Sequence, residues 1–297
     1  MKEKLPTYGG QAVIEGVLMR GTRHVAMAMR APNGEIVIHQ EILGGVYKAG
    51  WMKAPFLRGV IGLWDALILG TRFLTISANT QTGEDEKLEG APLYATLAVS
   101  LLGGVALFFL LPAGAGHLVE LFLGWKSFAA NLVEGLIRLA LLIGYIWAIG
   151  FMPDIRRVFQ YHGAEHKTIN AFEAGLDLTP ENVATRSLQH PRCGTSFLLA
   201  LVVVSILIFT LLGPMAPWLR YTSRLVLLPL LASIAYEYIR FMATHIENRF
   251  CQLIIKPNLA LQRLTTREPS RNQLEVAIAA FKAMYEQELA DKTAPVK

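Results

Sequence analysis

His162, Glu165 and His166 stand in the order H-x-x-E-H within the segment YHGAEHK. On an α-helix, residues four apart are neighbours on one face, so two imidazoles at that spacing can share one metal ion. A glutamate one residue before the second histidine completes the pattern of the inverted zinc hydrolases. There the histidines hold the ion and the carboxylate takes a proton from water. A catalytic zinc takes three protein ligands and leaves a fourth position open. Candidates for the third ligand are Glu173, seven residues after His166 on the same face, and His190 and Cys193 in the turn HPRC. Glu237, His245 and Glu247 near the end of the last apolar stretch are further options. Cys193 also reads as a nucleophile paired with His190, or as a structural thiol. Without an ion, the two histidines read as a hydrogen-bonded pair at an interface.

Glu15 and Arg20 lie in the glycine-rich segment GGQAVIEGVLMRG, as components of a site or as a salt-bridged pair in a tight turn. Glu134 and Arg138 fall four apart inside an apolar stretch, where ionisable side chains are costly and either functional or joined in an internal ion pair near the headgroup level. Glu237 and Arg240, with Tyr236 and Tyr238, stand near the end of another, after Pro229. They read as an interfacial belt or as a wall of the same site.

The elements that must position these residues are mostly membrane-type helices. The chain has 297 residues, 53% of them apolar and 17% charged, and a mean hydropathy of +0.38. A bilayer core about 30 Å thick needs roughly 20 apolar helical residues. Four stretches approach that length, near 93–111, 131–151, 197–212 and 224–242. Lys and Arg number ten in residues 1–92, five in 152–196 and eight in 244–297, against one in 112–130 and two in 213–224. The positive-inside rule then puts both termini and the middle segment in the cytoplasm, with an even number of crossings. MKEKLPTYGGQ lacks the apolar core of a signal peptide, so Met1 is expected to be retained. The two cysteines, Cys193 and Cys251, then face a reducing compartment, and no disulfide is expected. Contact with anionic lipid accounts for the basic balance, and no nucleic-acid partner is needed.

The expected fold class is mainly α: a polytopic membrane protein with about four transmembrane helices, an N-terminal β-hairpin unit and cytoplasmic amphipathic helices. Residues 1–54 form the β unit, with a hairpin of His24–Arg30 and Glu35–Ile42 around Asn33-Gly34. Residues 55–92 hold a helix that lies in the membrane surface or packs on the bundle, then a linker at 81–90. Spans one and two occupy 93–151. The motif segment, 152–196, starts with a helix from Pro153 to a stop at Gly175, and a short helix follows Thr179-Pro180. Spans three and four occupy 197–243. The tail, 244–297, ends in an amphipathic helix opened by a capping box at Ser270 and Gln273, with Leu274, Ile278, Phe281 and Tyr285 on one face.

YGGQAVIEGVLMRG, FQYHGAEHKTINAFE, HPRCGTSF and LTTREP, in that order, resemble the signature segments of the DUF1385 (YqhQ-like) family of bacterial membrane proteins. The resemblance runs over nearly the whole chain. It implies a bacterial inner-membrane protein, described as a predicted metal-dependent enzyme, with motif positions at Glu15, His162, Glu165, His166, His190 and Cys193. The resulting expectation is a membrane-bound hydrolase that uses a divalent metal, zinc by preference. Its substrate would be a lipid headgroup or a peptide segment at the cytoplasmic face. A transporter or channel built as a homo-oligomer, with Glu134, Arg138 and Glu237 along a pathway and Gly103-Gly104 allowing close packing, is the second reading. A scaffold that recruits a cytoplasmic protein through the hairpin and tail, with structural metal or none, is the third.

Overall fold

The computed structural model describes residues 8–44, 54–82, 87 and 89–293. The linker expected at 81–90 lies largely outside them, as does Met1. Near the N-terminus the hairpin is half of a larger unit. Strands β1 (Gly9–Val13), β2 (Gly16–Arg20), β3 (His24–Arg30) and β4 (Ile36–Ile42) form an antiparallel meander in chain order. A two-residue turn, Ile14-Glu15, joins β1 to β2, with Glu15 at φ +53°. A non-glycine residue in that region is uncommon, which is why the first hairpin carries no glycine or asparagine signal at the bend.

The sheet is covered on both faces. Side chains alternate along β3. Val25, Met27 and Met29 join Phe73 of helix α1 (Leu57–Gln81), while Ala26 and Ala28 pack with Phe281 and Met284 of α11 (Arg271–Thr293). Helix α5 (Pro153–Glu173) shares the second face through Tyr161 and Ala164. The apolar face of the tail helix is therefore consumed by the chain's own sheet.

The remaining helices form the apolar bundle. One continuous helix runs from α2 (Gly90–Val105) through a π-helical turn at Ala106–Leu110 into α3 (Leu111–Leu123). It is longer than the span expected at 93–111. Helices α4 (Ser127–Ile149) and α7 (Gly194–Leu211) follow the second and third expected spans. The fourth is broken into α8 (Pro217–Val226) and α9 (Leu228–Thr244), bent by 45° at Leu227 just ahead of Pro229. Among the described residues, four helices are long and apolar enough to cross a membrane, α1 included, and the bent pair would make a fifth. The first half of α1 runs beside α9, where Gly59 lies against Ser233 and Gly62 against Tyr236. Its second half carries Phe73 and Ser77 onto the sheet. Large apolar side chains of α2, α4 and α7, such as Leu101, Leu136 and Leu207, point outward. Gly103 and Gly104 face open space.

Inside the bundle, Glu134 accepts hydrogen bonds from both Arg138 and Arg224, and all three side chains are buried. Arg138 also donates to the Phe108 carbonyl. Pro112, four residues on, has no N–H to offer that oxygen. Beyond the bundle, the tail is more helical than its polarity suggests. Helix α10 (Arg249–Thr265) carries Pro257 in its interior and packs on α7.

Candidate metal centre

Helix α5 has Pro153 at its start and Gly175 just past its end at φ +71°. It presents His162 and His166 on one face, ring centroids 4.3 Å apart. Each Nδ1 is within hydrogen-bond distance of a backbone carbonyl: His162 to Thr265 at 2.9 Å, and His166 to Leu188 at 2.5 Å. A carbonyl only accepts, so each Nδ1 must carry a proton, and in the neutral ring each Nε2 then keeps its lone pair. The Nε2 of His162 lies 3.1 Å from the Cys193 sulfur. The Nε2 of His166 is buried and has no hydrogen-bond partner.

The third group, Cys193, caps the N-terminus of α7 and accepts from the Thr195 N–H at 3.4 Å. That helix end points its partial positive charge at the sulfur, which suits an anionic ligand. One ligand atom each from His162, His166 and Cys193 lies within 4.8 Å of the others. Tetrahedral zinc needs ligand edges of about 3.3–3.7 Å from its usual bond lengths, so small side-chain adjustments close the set. Two imidazoles and one thiolate are a donor set that zinc favours. These residues fit the ion.

Buried Gln262 of α10 holds the HPRC turn. Its side chain accepts from the His190 N–H at 3.0 Å and donates to the His190 carbonyl and to Ser196, both at 2.9 Å. Gln262 and the two carbonyls, from Thr265 and Leu188, were not singled out from sequence. LTTREP, which contains Thr265 and starts two residues after Gln262, was the one signal for that pair. Gly163, between the histidines, has no room for a side chain: a Cβ there would lie 2.2 Å from the Arg267 carbonyl.

Glu165 is 5% exposed and stands outside the ligand group. Burial pushes its pKa up to about 7, against the pull of His162 and a hydrogen bond from the Gly10 backbone. A Cβ on Gly10 would lie 2.9 Å from the Glu165 side chain, so the GGQ segment of β1 closes directly over the carboxylate.

The other candidates are dispersed. Glu173 is engaged by Arg192 and lies 3.6 Å from His190 Nε2, beyond hydrogen-bond reach. Burial is the main influence on His190 and lowers its pKa, which favours the neutral ring. Its ring centroid is 5.7 Å from that of His166, and it is not part of the three-residue group. Glu15 pairs with Arg157 and accepts from Tyr161, tying the β1–β2 turn to α5. Glu237 pairs with Arg58. His245 caps α9 through the Phe241 carbonyl. Arg20 and Arg240 line a cavity of about 510 Å³ that also takes in His162, Glu165, His190 and Cys193.

Fold and site together define a mainly helical protein with several helices of membrane-crossing length and a buried His–His–Cys group that could hold a metal ion. The chain belongs to the family described as "Protein of unknown function (DUF1385)", which matches residues 54–287. It is 37% identical over 296 residues to the uncharacterized protein YqhQ of Bacillus subtilis (strain 168), covering 93% of this chain and 91% of that one. No solved structure matches it.

Proposed function

We propose that this protein is a membrane-embedded, zinc-dependent hydrolase of the bacterial inner membrane whose reaction centre lies at the cytoplasmic surface. The observation that carries the proposal is the unpartnered Nε2 of His166, on a ring grouped with His162 and Cys193, which line a cavity together with Glu165. A buried ring nitrogen without a partner is costly unless something completes it.

Three converging protein ligands are the number that a catalytic zinc takes; a structural zinc takes four. Among the described residues a fourth does not join the group. A zinc ion so held supplies Lewis acidity and lowers the pKa of water toward about 7. Glu165 takes the proton at its carboxylate. Burial raises this carboxyl's affinity for a proton, which suits a general base. The Gly10 N–H orients the carboxylate, and Gln262 fixes the turn that carries Cys193. The distribution of Lys and Arg supports an orientation with the sheet, α5, α10 and α11 in the cytoplasm.

The test is elemental analysis of detergent-purified protein beside a His162→Ala/His166→Ala variant. Loss of one zinc equivalent is expected, and equal metal content in both overturns the proposal. Glu165→Gln should keep the equivalent, because its carboxylate is not a ligand. Metal loss in that variant would remove Glu165 from the role of base.

A further inference from the structure

The cavity before the His–His–Cys group is about 510 Å³, within the range of small-molecule sites. Its wall is rich in guanidiniums. Arg20 of β2, Arg58 of α1, Arg192 of the HPRC turn and Arg240 of α9 all line it, and Glu165 is the one carboxylate among the lining residues. The carboxylates that pair with Arg58 and Arg192, those of Glu237 and Glu173, are not part of the wall. They hold two of the guanidiniums in place from outside it. The Nε of Arg192 is buried with no hydrogen-bond partner. Planar guanidiniums are the side chains best matched to phosphate oxygens.

The same lining also has an apolar component. Ile61, Gly62 and Leu69 of α1 and Tyr236 of α9 line the cavity, and α1 also presents exposed Val60, Trp64 and Ile68. Gly62 leaves the space before Tyr236 free, since a Cβ there would already touch that ring at 3.4 Å. The cavity thus offers guanidiniums for an anion and apolar side chains for hydrocarbon.

We infer that this cavity binds a phosphate-bearing amphiphile, with its phosphate among the guanidiniums beside His162 and Cys193 and its apolar chain along α1 and α9. This names the substrate class of the hydrolase proposed above and rests on that reading of the cavity, but binding through the arginines does not require the ion.

The test is calorimetric titration of the full-length protein in non-ionic detergent. The probes are dioctanoyl phosphatidate, dioctanoylglycerol, inorganic phosphate and a phosphate-free acidic peptide. Saturable binding of the phosphatidate is expected, with the phosphate-free lipid at least about tenfold weaker, as is usual for loss of a charge-assisted contact. Arg240→Gln and Arg20→Gln should each weaken phosphatidate by about tenfold. Arg20 is partly buried in the sheet, so if that variant does not fold, exposed Arg240 decides. Inorganic phosphate bound as tightly as the phosphatidate would assign the site to a free anion and overturn the amphiphile. Binding of the peptide alone, or of no probe, would also overturn it. Parent protein stripped of metal by a chelator should still bind phosphatidate. Normal zinc content without lipid binding sinks this inference alone, and lipid binding without zinc sinks the metal proposal alone.

Discussion

Changing Gly163 to alanine sets two effects of known size against each other. Alanine is the better helix former by about 1 kcal/mol, which favours the variant. Against that, the new Cβ would lie 2.2 Å from the Arg267 carbonyl oxygen and 2.8 Å from a methyl of Leu188. The Leu188 methyl can rotate away. The Arg267 oxygen is backbone, and an ordinary carbon–oxygen contact is about 3.3 Å or more, so the segment must retreat by about 1 Å. That segment accepts from His162 at the Thr265 carbonyl and is pinned to α5 by the Arg267 N–H bond to Phe159, each at 2.9 Å. Overpacking costs about 1–3 kcal/mol, so the variant is expected to lose about 1 kcal/mol net. Disturbing a partner that orients a ligand lowers metal affinity by about 10–100-fold. Zinc affinity by chelator competition and thermal unfolding in detergent check both numbers. Gly144→Ala is the control: a Cβ there meets nothing within 4 Å, so that variant should keep its zinc affinity and unfold no earlier. A Gly163→Ala protein that binds zinc as tightly as the parent and melts later would refute the reasoning.

Two further outcomes are expected. Glu134→Gln leaves buried Arg138 and Arg224 without their shared counter-charge. Breaking such a network costs about 3–5 kcal/mol, so the variant should unfold earlier in detergent. Replacing all three with apolar residues of like size should restore most of the loss, and failure to do so would show that the network's charge is itself required. The Glu15 carboxyl is held below its ordinary pKa, chiefly by its hydrogen bond from Arg157. A depressed carboxyl contributes stability above its unfolded pKa and loses it as pH falls through the folded one. Glu15→Gln should therefore be less stable than the parent at pH 7, by about 0.5–1 kcal/mol for a partly exposed pair. The two proteins should converge on acidification below about pH 4, and a difference that stays constant with pH would sink this assignment.

Local signals told the truth wherever one physical cause dominated. Pro153 and Gly175 bracket α5 as their backbone preferences require. The Ser270 and Gln273 side chains cap α11 reciprocally. Hydropathy found α4 and α7 within a few residues. The first hairpin stayed hidden because its bend uses Glu15, and because a sheet covered on both faces shows no apolar–polar alternation to read. Helix α10 was missed because Pro257 sits inside it. At the site, the spacing of His162 and His166 carried their convergence. Long-range partners could not be read locally. The Cys193 sulfur arrives from 31 residues further on and the Thr265 carbonyl from 103. Glu173 reads as a ligand by spacing alone, yet Arg192 occupies it.

The hydrogen-bond partners on α10 also impose an order of events. Chains fold largely from the N-terminus as they leave the ribosome, so the histidines, the cysteine and the apolar helices all emerge before Gln262 and Thr265 exist. Until the last stretch is made, the His162 ring lacks the Thr265 carbonyl, the HPRC turn lacks Gln262, and one face of the sheet has only α5 to cover it. A completed centre is therefore a property of the finished chain, and a polypeptide cut short before α10 would carry all three candidate ligands without the carbonyl that orients His162 or the glutamine that holds the Cys193 turn.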